Sequence, residues 1–277
     1  MDAKRILFIT QEITPYLPES EIAMIGRHLP QGIQERGREI RTFMPKFGNI
    51  NERRNQLHEV IRLSGMNLII DDTDHPLIIK VASIQSARMQ VYFIDNEDFF
   101  QRKATVCDAQ GREYEDNDER SIFYIRGVLE TIKKLRWIPD LIHCHGWMSA
   151  LTALYVKRMY ADDPCLKDAK IVYSIYADDF GMPLRANITD KLKMDGALDE
   201  DLVYLKQEAG YVSLTKLAID FSDGVIQGSQ TINPEIQDYL STLKEKPVLF
   251  YQSPDVYMDA FNKFYDIILA SNSNNKK

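Results

Sequence analysis

Short runs rich in β-branched residues alternate along this chain with segments of helical period, and this alternation limits the fold most strongly. The first run is Arg5–Thr10, a helical stretch follows it to about Arg36, and Gly37 is placed to end that helix. Strand and helix in regular succession are typical of a parallel sheet with helices on its faces. We therefore predict an α/β fold with a Rossmann-like, doubly wound parallel sheet.

The same alternation continues toward the carboxyl terminus. Further strands are predicted at 40–44, 140–143, 171–175, 224–227 and 247–251. Further helices are predicted at 118–136, from about 147, and at 202–221, 233–243 and 254–269. The apolar face of the last helix, at about 254–269, predicts that it closes the domain by covering the sheet.

Between about residues 57 and 94 the pattern changes. Four short runs, HEVIRLS, NLIID, PLIIKVASIQ and MQVYFID, follow one another without a helical stretch between them. We interpret this segment as β-hairpins inserted into the α/β domain. Because no low-complexity linker or repeat divides the chain, residues 1–270 are predicted to form one domain, and the polar segment 271–277 a disordered tail.

Composition excludes several classes of function. With a net charge of −7 and a pI near 5.4, the chain of 277 residues lacks the basic character that binding to nucleic acid requires. The opening MDAKRILFIT is too short for a signal peptide, and no run approaches the ~18 apolar residues of a membrane span. The three cysteines, Cys107, Cys144 and Cys165, are widely spaced, which favours reduced thiols in a cytoplasmic protein. No zinc-ligand spacing occurs, so we expect no metal.

Four segments carry motifs in a fixed order. They are RILFITQEITPYLPESEIAMIGRHLPQGIQERGREIRTFMPKFG, VYFIDNEDFFQR with YEDNDER, WIPDLIHCHGWMSAL and FSDGVIQGSQTINPEIQ. Together they resemble the N-terminal domain of bacterial glycogen synthases and plant starch synthases, over roughly Arg5–Gln237. The resemblance implies the N-terminal half of a GT-B glycosyltransferase, in which two Rossmann-like domains face each other across a cleft. In such enzymes the N-terminal domain holds the α-1,4-glucan, and the C-terminal domain holds most of the ADP-glucose.

The loop after the first strand departs from the family pattern P-F-A-K-T-G-G-L-G-D-V. Pro18 stands where the family has its phosphate-binding lysine, Glu19 follows it, and Ser20 and Glu21 replace the paired glycines. Proline donates no N–H group, and carboxylates oppose an anion. At ~6 Å and an effective dielectric constant of ~20, each carboxylate opposes a unit of phosphate charge by roughly 3 kcal/mol. This degenerate nucleotide-sugar loop is therefore not expected to bind a sugar nucleotide in the family's manner.

Other family positions also differ. His145 matches the family histidine in HCHGWM, but Gly146 replaces an aspartate and Met148 a histidine. Tyr176 and Ala177 replace the family's "HN" pair. No counterpart of the C-terminal domain follows in this sequence, so we expect its nucleotide sites to be lacking here.

The candidate site residues are those that match family positions near the carboxyl ends of the strands. His145 is the candidate catalytic residue; it either contacts a sugar hydroxyl or is a structural histidine at a strand-to-helix turn. Glu12, Trp147, Asp116 and Asn117 are candidates for substrate binding. Trp147 either stacks on a sugar ring or belongs to the core, and Asn117 is also a plausible N-cap of the helix that follows it.

Acidic residues surround this expected site. Glu12, Glu19 and Glu21 would share the mouth of the cleft with Asp178 and Asp179. Such a charge suits neutral sugars or a cationic partner and is unfavourable for nucleotides. The pair of histidines at 143 and 145 is only weak evidence for a metal.

Three hypotheses for function follow. The first is a pseudoenzyme or accessory glucan-binding module of glycogen metabolism. The second is half of a split glucosyltransferase, completed by another chain that supplies the nucleotide domain. The third is a structural domain whose former interdomain face binds a protein. The expected partners are thus an α-1,4-glucan or a protein, with no nucleic acid, membrane or cofactor.

Overall fold

Ten strands form the centre of the part of the chain that the computed structural model describes, residues 3–271. They are β1 (Arg5–Thr10), β2 (Glu39–Pro45), β3 (His58–Glu59), β4 (Met66–Ile70), β5 (Thr73–Ile84), β6 (Met89–Asp95), β7 (Leu141–His145), β8 (Lys170–Ile175), β9 (Gly224–Gln227) and β10 (Val248–Leu249). Their order in the sheet is β10-β9-β8-β7-β1-β2-β6-β5-β3, and β4 pairs with β5. The strands from β10 to β6 in that order run parallel, and β3, β4 and β5 pair antiparallel.

Helices connect the parallel strands. They are α1 (Glu21–Glu35), α2 (Glu97–Phe100), α3 (Asn117–Leu135), α4 (Thr152–Leu154), α5 (Ile188–Met194), α6 (Tyr211–Phe221), α7 (Pro234–Thr242) and α8 (Tyr257–Ala270). Short 3₁₀ turns lie at Gln85–Ala87, Trp147–Ser149 and Val203–Leu205, and a π-helical turn lies at Tyr155–Met159. The predicted α/β fold with a doubly wound parallel sheet is confirmed.

The region of the predicted hairpins differs in two respects. The strand β6 forms a hairpin with β5, but it also pairs in parallel with β2, so it belongs to the main sheet. Of the run HEVIRLS, only His58–Glu59 is a strand, and the chain then turns. Hydrophobic alternation does not distinguish a strand from a turn whose apolar side chains face the core.

The predicted helix at 202–221 is wrong in its first half. Residues 203–205 form a 3₁₀ turn, and α6 begins only after Gly210, whose backbone is extended. The short helices α2 and α5 were not predicted. Gly37 follows the end of α1, as predicted, and its φ of +85° lies in the left-handed region that favours glycine.

The closing helix α8 packs its apolar side against the sheet. Phe261, Phe264, Tyr265 and Ile268 are buried, and a Cβ atom added at Gly224 of β9 would lie 2.5 Å from Cδ1 of Ile268. Each such side chain contributes about 1.5–3 kcal/mol when it leaves water. The helix is therefore an integral part of the core. Of the predicted disordered tail, residues 272–277 lie outside the described part of the chain.

Candidate functional site

The carboxyl ends of the central strands meet at one edge of the sheet. Thr10 at the end of β1 is level with His145 at the end of β7, which is level with Ser174 near the end of β8. Open α/β sheets bind their ligands at this edge, where the loops after the strands converge. The loops that follow β1, β7, β8 and β9 therefore form the candidate site.

His145 lies at this edge but is enclosed by protein, with 1% of its surface exposed. Its Nδ1 is hydrogen-bonded to the hydroxyl of Tyr176 at 2.7 Å, and its Nε2 is buried without a hydrogen-bond partner among the described residues. Burial lowers the pKa of His145 to about 3, so the ring is neutral at pH 7. This environment matches the structural alternative, and direct contact with a sugar would require the surrounding loops to open.

His143, two residues earlier on β7, is fully buried and engaged through both ring nitrogens. Nδ1 is bonded to the hydroxyl of Tyr265 at 2.6 Å, and Nε2 to the hydroxyl of Ser174 at 2.7 Å. Burial, and secondarily the neighbouring His145, holds its pKa well below the usual value. Within residues 3–271, no group of three or more His, Cys, Asp or Glu side chains could hold a metal ion.

Gly146 permits the close packing after β7. Its φ is +83°, and an added Cβ atom would lie 2.8 Å from Oε1 of Gln11 and 3.2 Å from Oδ2 of Asp178. These two oxygens accept the backbone N–H groups of Met148, at 3.2 Å, and Trp147, at 2.8 Å. Side chains from the loops after β1 and β8 thus occupy the space beside the position where the family pattern has an aspartate.

Asp178 is the most perturbed carboxyl group of this edge. Burial raises its pKa to about 7, against the opposing effect of hydrogen bonds from Trp147 N–H and the hydroxyl of Tyr211, which lies 3.2 Å away. The sequence indicated that this residue adds negative charge to the cleft. Its role as an acceptor for the backbone after β7 depends on a contact between loops that sequence spacing does not reveal.

Trp147 does not offer an exposed face for sugar stacking. Only 2% of its surface is exposed, and its ring packs against Phe180 with 4.9 Å between centroids. The core alternative therefore describes Trp147 in this structure. Phe180, which is half-buried and also contacts Tyr211, is the aromatic residue nearer the solvent. The sequence analysis did not identify Phe180 as a candidate, although it lies three residues after Tyr176 and Ala177, which replace the family's "HN" pair.

Asp116 and Asn117 have structural partners. Asp116 accepts two hydrogen bonds from Arg102, at 2.8 and 2.6 Å. Asn117 is buried, donates to the carbonyl of Val106 and accepts from Arg120. Asn117 is the first residue of α3 and not its N-cap, so that prediction is wrong. These contacts fix the segment before α3, and neither side chain lies free for substrate.

The last residue of the loop before α1 forms a capping hydrogen bond at the N-terminus of that helix. Ser20 is the N-cap, and its hydroxyl oxygen accepts the N–H of Ala23 at 3.0 Å and donates its proton to the carboxylate of Glu12. The carboxylate of Glu21 accepts a hydrogen bond from Ser229, after β9. Pro18 and Glu19 are exposed. Two carboxylates therefore lie beside the helix N-terminus, where the dipole favours negative charge.

A cavity of about 570 Å³ opens at the same edge, between the loop after β8 and the N-terminal ends of α6 and α7. Its walls combine the rings of Phe180, Tyr204 and Tyr211 with planar or flexible polar groups. The polar residues that line it include Asp179, Gln207, Glu208, Ser213, Lys216, Asn233 and Glu235. The arrangement offers both ring faces and hydrogen-bonding groups to a polar, uncharged ligand.

Fold and edge together define a Rossmann-like α/β domain of the GT-B type. Comparison with known proteins makes this more specific, because residues 5–249 match the starch synthase catalytic domain family. The chain belongs to that family. The predicted relationship to glycogen and starch synthases is thereby confirmed.

Individual relatives are glycogen synthases and a starch synthase. The glycogen synthase of Chlorobium limicola is 37% identical over 173 residues, which are 62% of this chain and 35% of the relative. That of Chlorobaculum tepidum is 36% identical over 202 residues, 69% of this chain and 41% of the relative. The catalytic domain of starch synthase IV from Arabidopsis thaliana, solved with ADP and acarbose, aligns with a TM-score of 0.66 at 19% identity. That alignment covers 81% of this chain and 44% of the other.

The chain thus spans about 35–41% of the length of these glycogen synthases. Among the helices within residues 3–271, none is both long enough and apolar enough to cross a membrane.

Proposed function

We propose that this chain is a glucan-binding domain of α-glucan metabolism whose first loop does not hold a sugar nucleotide. One observation carries the proposal: Ser20 caps the N-terminus of α1, and the carboxylates of Glu12 and Glu21 lie beside that terminus, bonded to Ser20 and Ser229. A helix N-terminus is otherwise a favourable place for a phosphate.

Electrostatics argue against a diphosphate at this loop. A carboxylate at ~6 Å opposes each unit of phosphate charge by roughly 3 kcal/mol at an effective dielectric constant of ~20. The helix dipole stabilises an anion by only ~0.3–1 kcal/mol per contact. Glu12 and Glu21 together therefore outweigh the dipole. Screening by salt reduces both effects, since Glu21 is exposed and Glu12 half-buried.

A neutral glucan suits the cavity beside the loop after β8. Sugar hydroxyl groups donate to carboxylates and amide oxygens, so Asp179, Glu208 and Asn233 favour binding without a positive counterpart. The half-buried ring of Phe180 supplies apolar area for a pyranose face. Trp147 and Tyr211 both pack against that ring, at 4.9 and 5.8 Å between centroids.

The test is an NMR titration of the protein with maltotetraose. We expect shifts centred on the loop after β8, with millimolar affinity, about −4 kcal/mol. Phe180→Leu keeps the apolar bulk against Trp147 but removes the aromatic face, and we expect it to weaken binding about fivefold. Phe250→Leu, an exposed phenylalanine after β10, is the matched control and should leave the affinity unchanged.

Calorimetry with ADP-glucose tests the other half of the proposal. We expect no binding, and a dissociation constant below ~100 µM, about −5.5 kcal/mol, would favour the split-transferase hypothesis. An absence of shifts with maltotetraose would instead favour a protein partner at this face.

A further inference from the structure

A second cavity, of about 280 Å³, lies beside the first turns of α1. It is enclosed by the start of α1, the end of β9, the segment after β10 and the start of α8. Its walls are mostly apolar, and they include Met24 and Ile25 of α1 and Tyr257 and Phe261 of α8. The volume is near the lower end of the range for small-molecule sites, roughly 300–1,000 Å³.

Two side-chain amides, those of Gln227 and Gln252, line this cavity together with the imidazole of His28. The amide nitrogen of Gln227 donates to the carbonyl oxygens of Ser229 and Gln230, both at 3.1 Å. The amide nitrogen of Gln252 donates to the carbonyls of Phe250 and Tyr251, at 2.9 and 3.1 Å. Both NH₂ groups are therefore used within the protein, so each amide offers a ligand its carbonyl oxygen.

Glu21 adds a negative charge to the rim of the same cavity. The side chain is exposed on the first turn of α1, and its contact with Ser229 holds the carboxylate toward the end of β9. The nearby cation Arg36, which is close enough to Tyr257 to influence it electrostatically, is paired with Asp259 at 2.5 Å. Among the residues that line the cavity, Glu21 supplies the carboxylate, and His28 is the one side chain with a basic nitrogen.

Aromatic rings in the wall of this cavity also favour a cationic ligand. The rings of Tyr257 and Phe261 meet edge to face, with 5.6 Å between centroids, and Tyr251 also lines the cavity. Aromatic faces attract ammonium groups through their quadrupole, by about 0.5–2 kcal/mol depending on exposure. The side chains of Met24 and Ile25 offer apolar contacts to the uncharged part of such a ligand.

From these contacts we infer that the cavity between α1 and α8 binds a small arylalkyl ammonium compound. The aromatic body lies among Met24, Ile25 and Phe261, and the ammonium group donates to Glu21 and to the amide oxygens of Gln227 and Gln252. This site is separate from the glucan cavity at Phe180, because the two share no lining residue.

The experiment compares three probes of similar shape by NMR titration at pH 7.5. Tyramine carries a positive charge, 4-methylphenol none, and 4-hydroxyphenylacetate a negative charge. We expect tyramine to bind most tightly, 4-methylphenol about tenfold more weakly, and 4-hydroxyphenylacetate not measurably. Shifts should centre on Met24, Ile25 and Tyr257.

Two substitutions examine the charge. Glu21→Gln retains an acceptor for Ser229 and should reduce tyramine affinity about tenfold while leaving 4-methylphenol unchanged. Glu19→Gln makes the same charge change at an exposed neighbour that does not line the cavity, and should alter affinity less than twofold. Met24→Trp, at a partly exposed helical position, should fill the cavity and abolish binding of all three probes.

Equal binding of the three probes, an unchanged affinity in Glu21→Gln, or no binding of tyramine up to 10 mM, on the order of −3 kcal/mol, would overturn the inference. Maltotetraose binding in the Glu21→Gln and Met24→Trp variants reports on the other cavity and should be as in the wild type. Failure of this inference is thereby distinguishable from failure of the glucan proposal.

Discussion

The phenolic hydroxyl of Tyr265 lies 2.6 Å from Nδ1 of His143, so the closing helix α8 is hydrogen-bonded to the central strand β7. Both residues are fully buried, and the other nitrogen of His143 is bonded to Ser174 on β8. The other buried contacts of α8 with the sheet are apolar. Nearer the solvent, Arg38, directly before β2, donates to Asn262 and Asp266 of α8, and Arg36 pairs with Asp259. The contact with His143 and these charged contacts together fix the register of α8, since any shift would leave polar groups without partners.

Substitution of Tyr265 by phenylalanine should therefore destabilise the protein. The change leaves a buried histidine nitrogen without a partner, which costs about 1–3 kcal/mol in the free energy of unfolding. Urea denaturation followed by circular dichroism measures the difference. Tyr257→Phe, a half-buried tyrosine of the same helix, should stay within about 0.5 kcal/mol of the wild type. Equal stability of Tyr265→Phe and the wild type would show that the contact does not contribute.

Truncation after Ser253 removes α8 and should make the protein aggregate. Phe261, Phe264 and Ile268 are 0–5% exposed, so their loss would uncover an apolar face on the sheet beside β9. Large exposed apolar patches promote association. Light scattering and size-exclusion chromatography at equal concentration measure the effect. A soluble, monomeric truncation with an unchanged melting temperature would contradict it.

Stability should depend on pH through Asp178. Burial raises the pKa of this carboxyl from 3.8 to about 7 in the folded state, so between about pH 4 and 7 the folded protein holds a proton that the unfolded chain has released. The free energy of unfolding should therefore fall as the pH rises through that window, by up to about 1.4 kcal/mol per pH unit from this group.

Asp178→Asn should flatten that dependence. An asparagine can still accept from the N–H of Trp147. It can also donate to the hydroxyl oxygen of Tyr211 when that hydroxyl gives its one proton to the carbonyl of Tyr176, 2.9 Å away, instead of to residue 178. The variant should be more stable than the wild type at pH 8 in urea denaturation. Asp179→Asn, at the exposed neighbour, is the control and should retain the wild-type slope. A parallel pH profile in Asp178→Asn would mean that Asp178 is ionised throughout the window.

Ser20 should matter for stability as the N-cap of α1. Ser20→Ala removes the acceptor for the N–H of Ala23 and should cost ~1 kcal/mol in the free energy of unfolding, within a range of about 0.5–2. Ser20→Gly, which restores the residue of the family pattern, should cost only a few tenths, because glycine leaves that N–H open to water. Chemical denaturation of both variants compares them. A larger loss in Ser20→Gly than in Ser20→Ala would contradict the capping role.

Local pattern was sufficient for the long elements. The first strand was predicted with the observed bounds, Arg5–Thr10, and α3 was predicted within a residue of its observed start and end. Both have strong periodicity, and nearby turn or capping residues end them. The short helices α2 and α5 and the break before α6 were missed, because four to seven residues give too little periodicity to separate helix from turn.

By itself the sequence determined the α/β class and the family, since both depend on residue type and order. Only the tertiary structure decided where the candidate residues lie and which groups they contact. His145 and Trp147 are buried, and Asp116 is hydrogen-bonded to Arg102. Phe180 and Glu21 line the walls of two different cavities. The physical reason is that exposure and pKa depend on neighbours far apart in the chain. Asp178 and Gln11 meet at Gly146 only because β1, β7 and β8 lie side by side in the sheet.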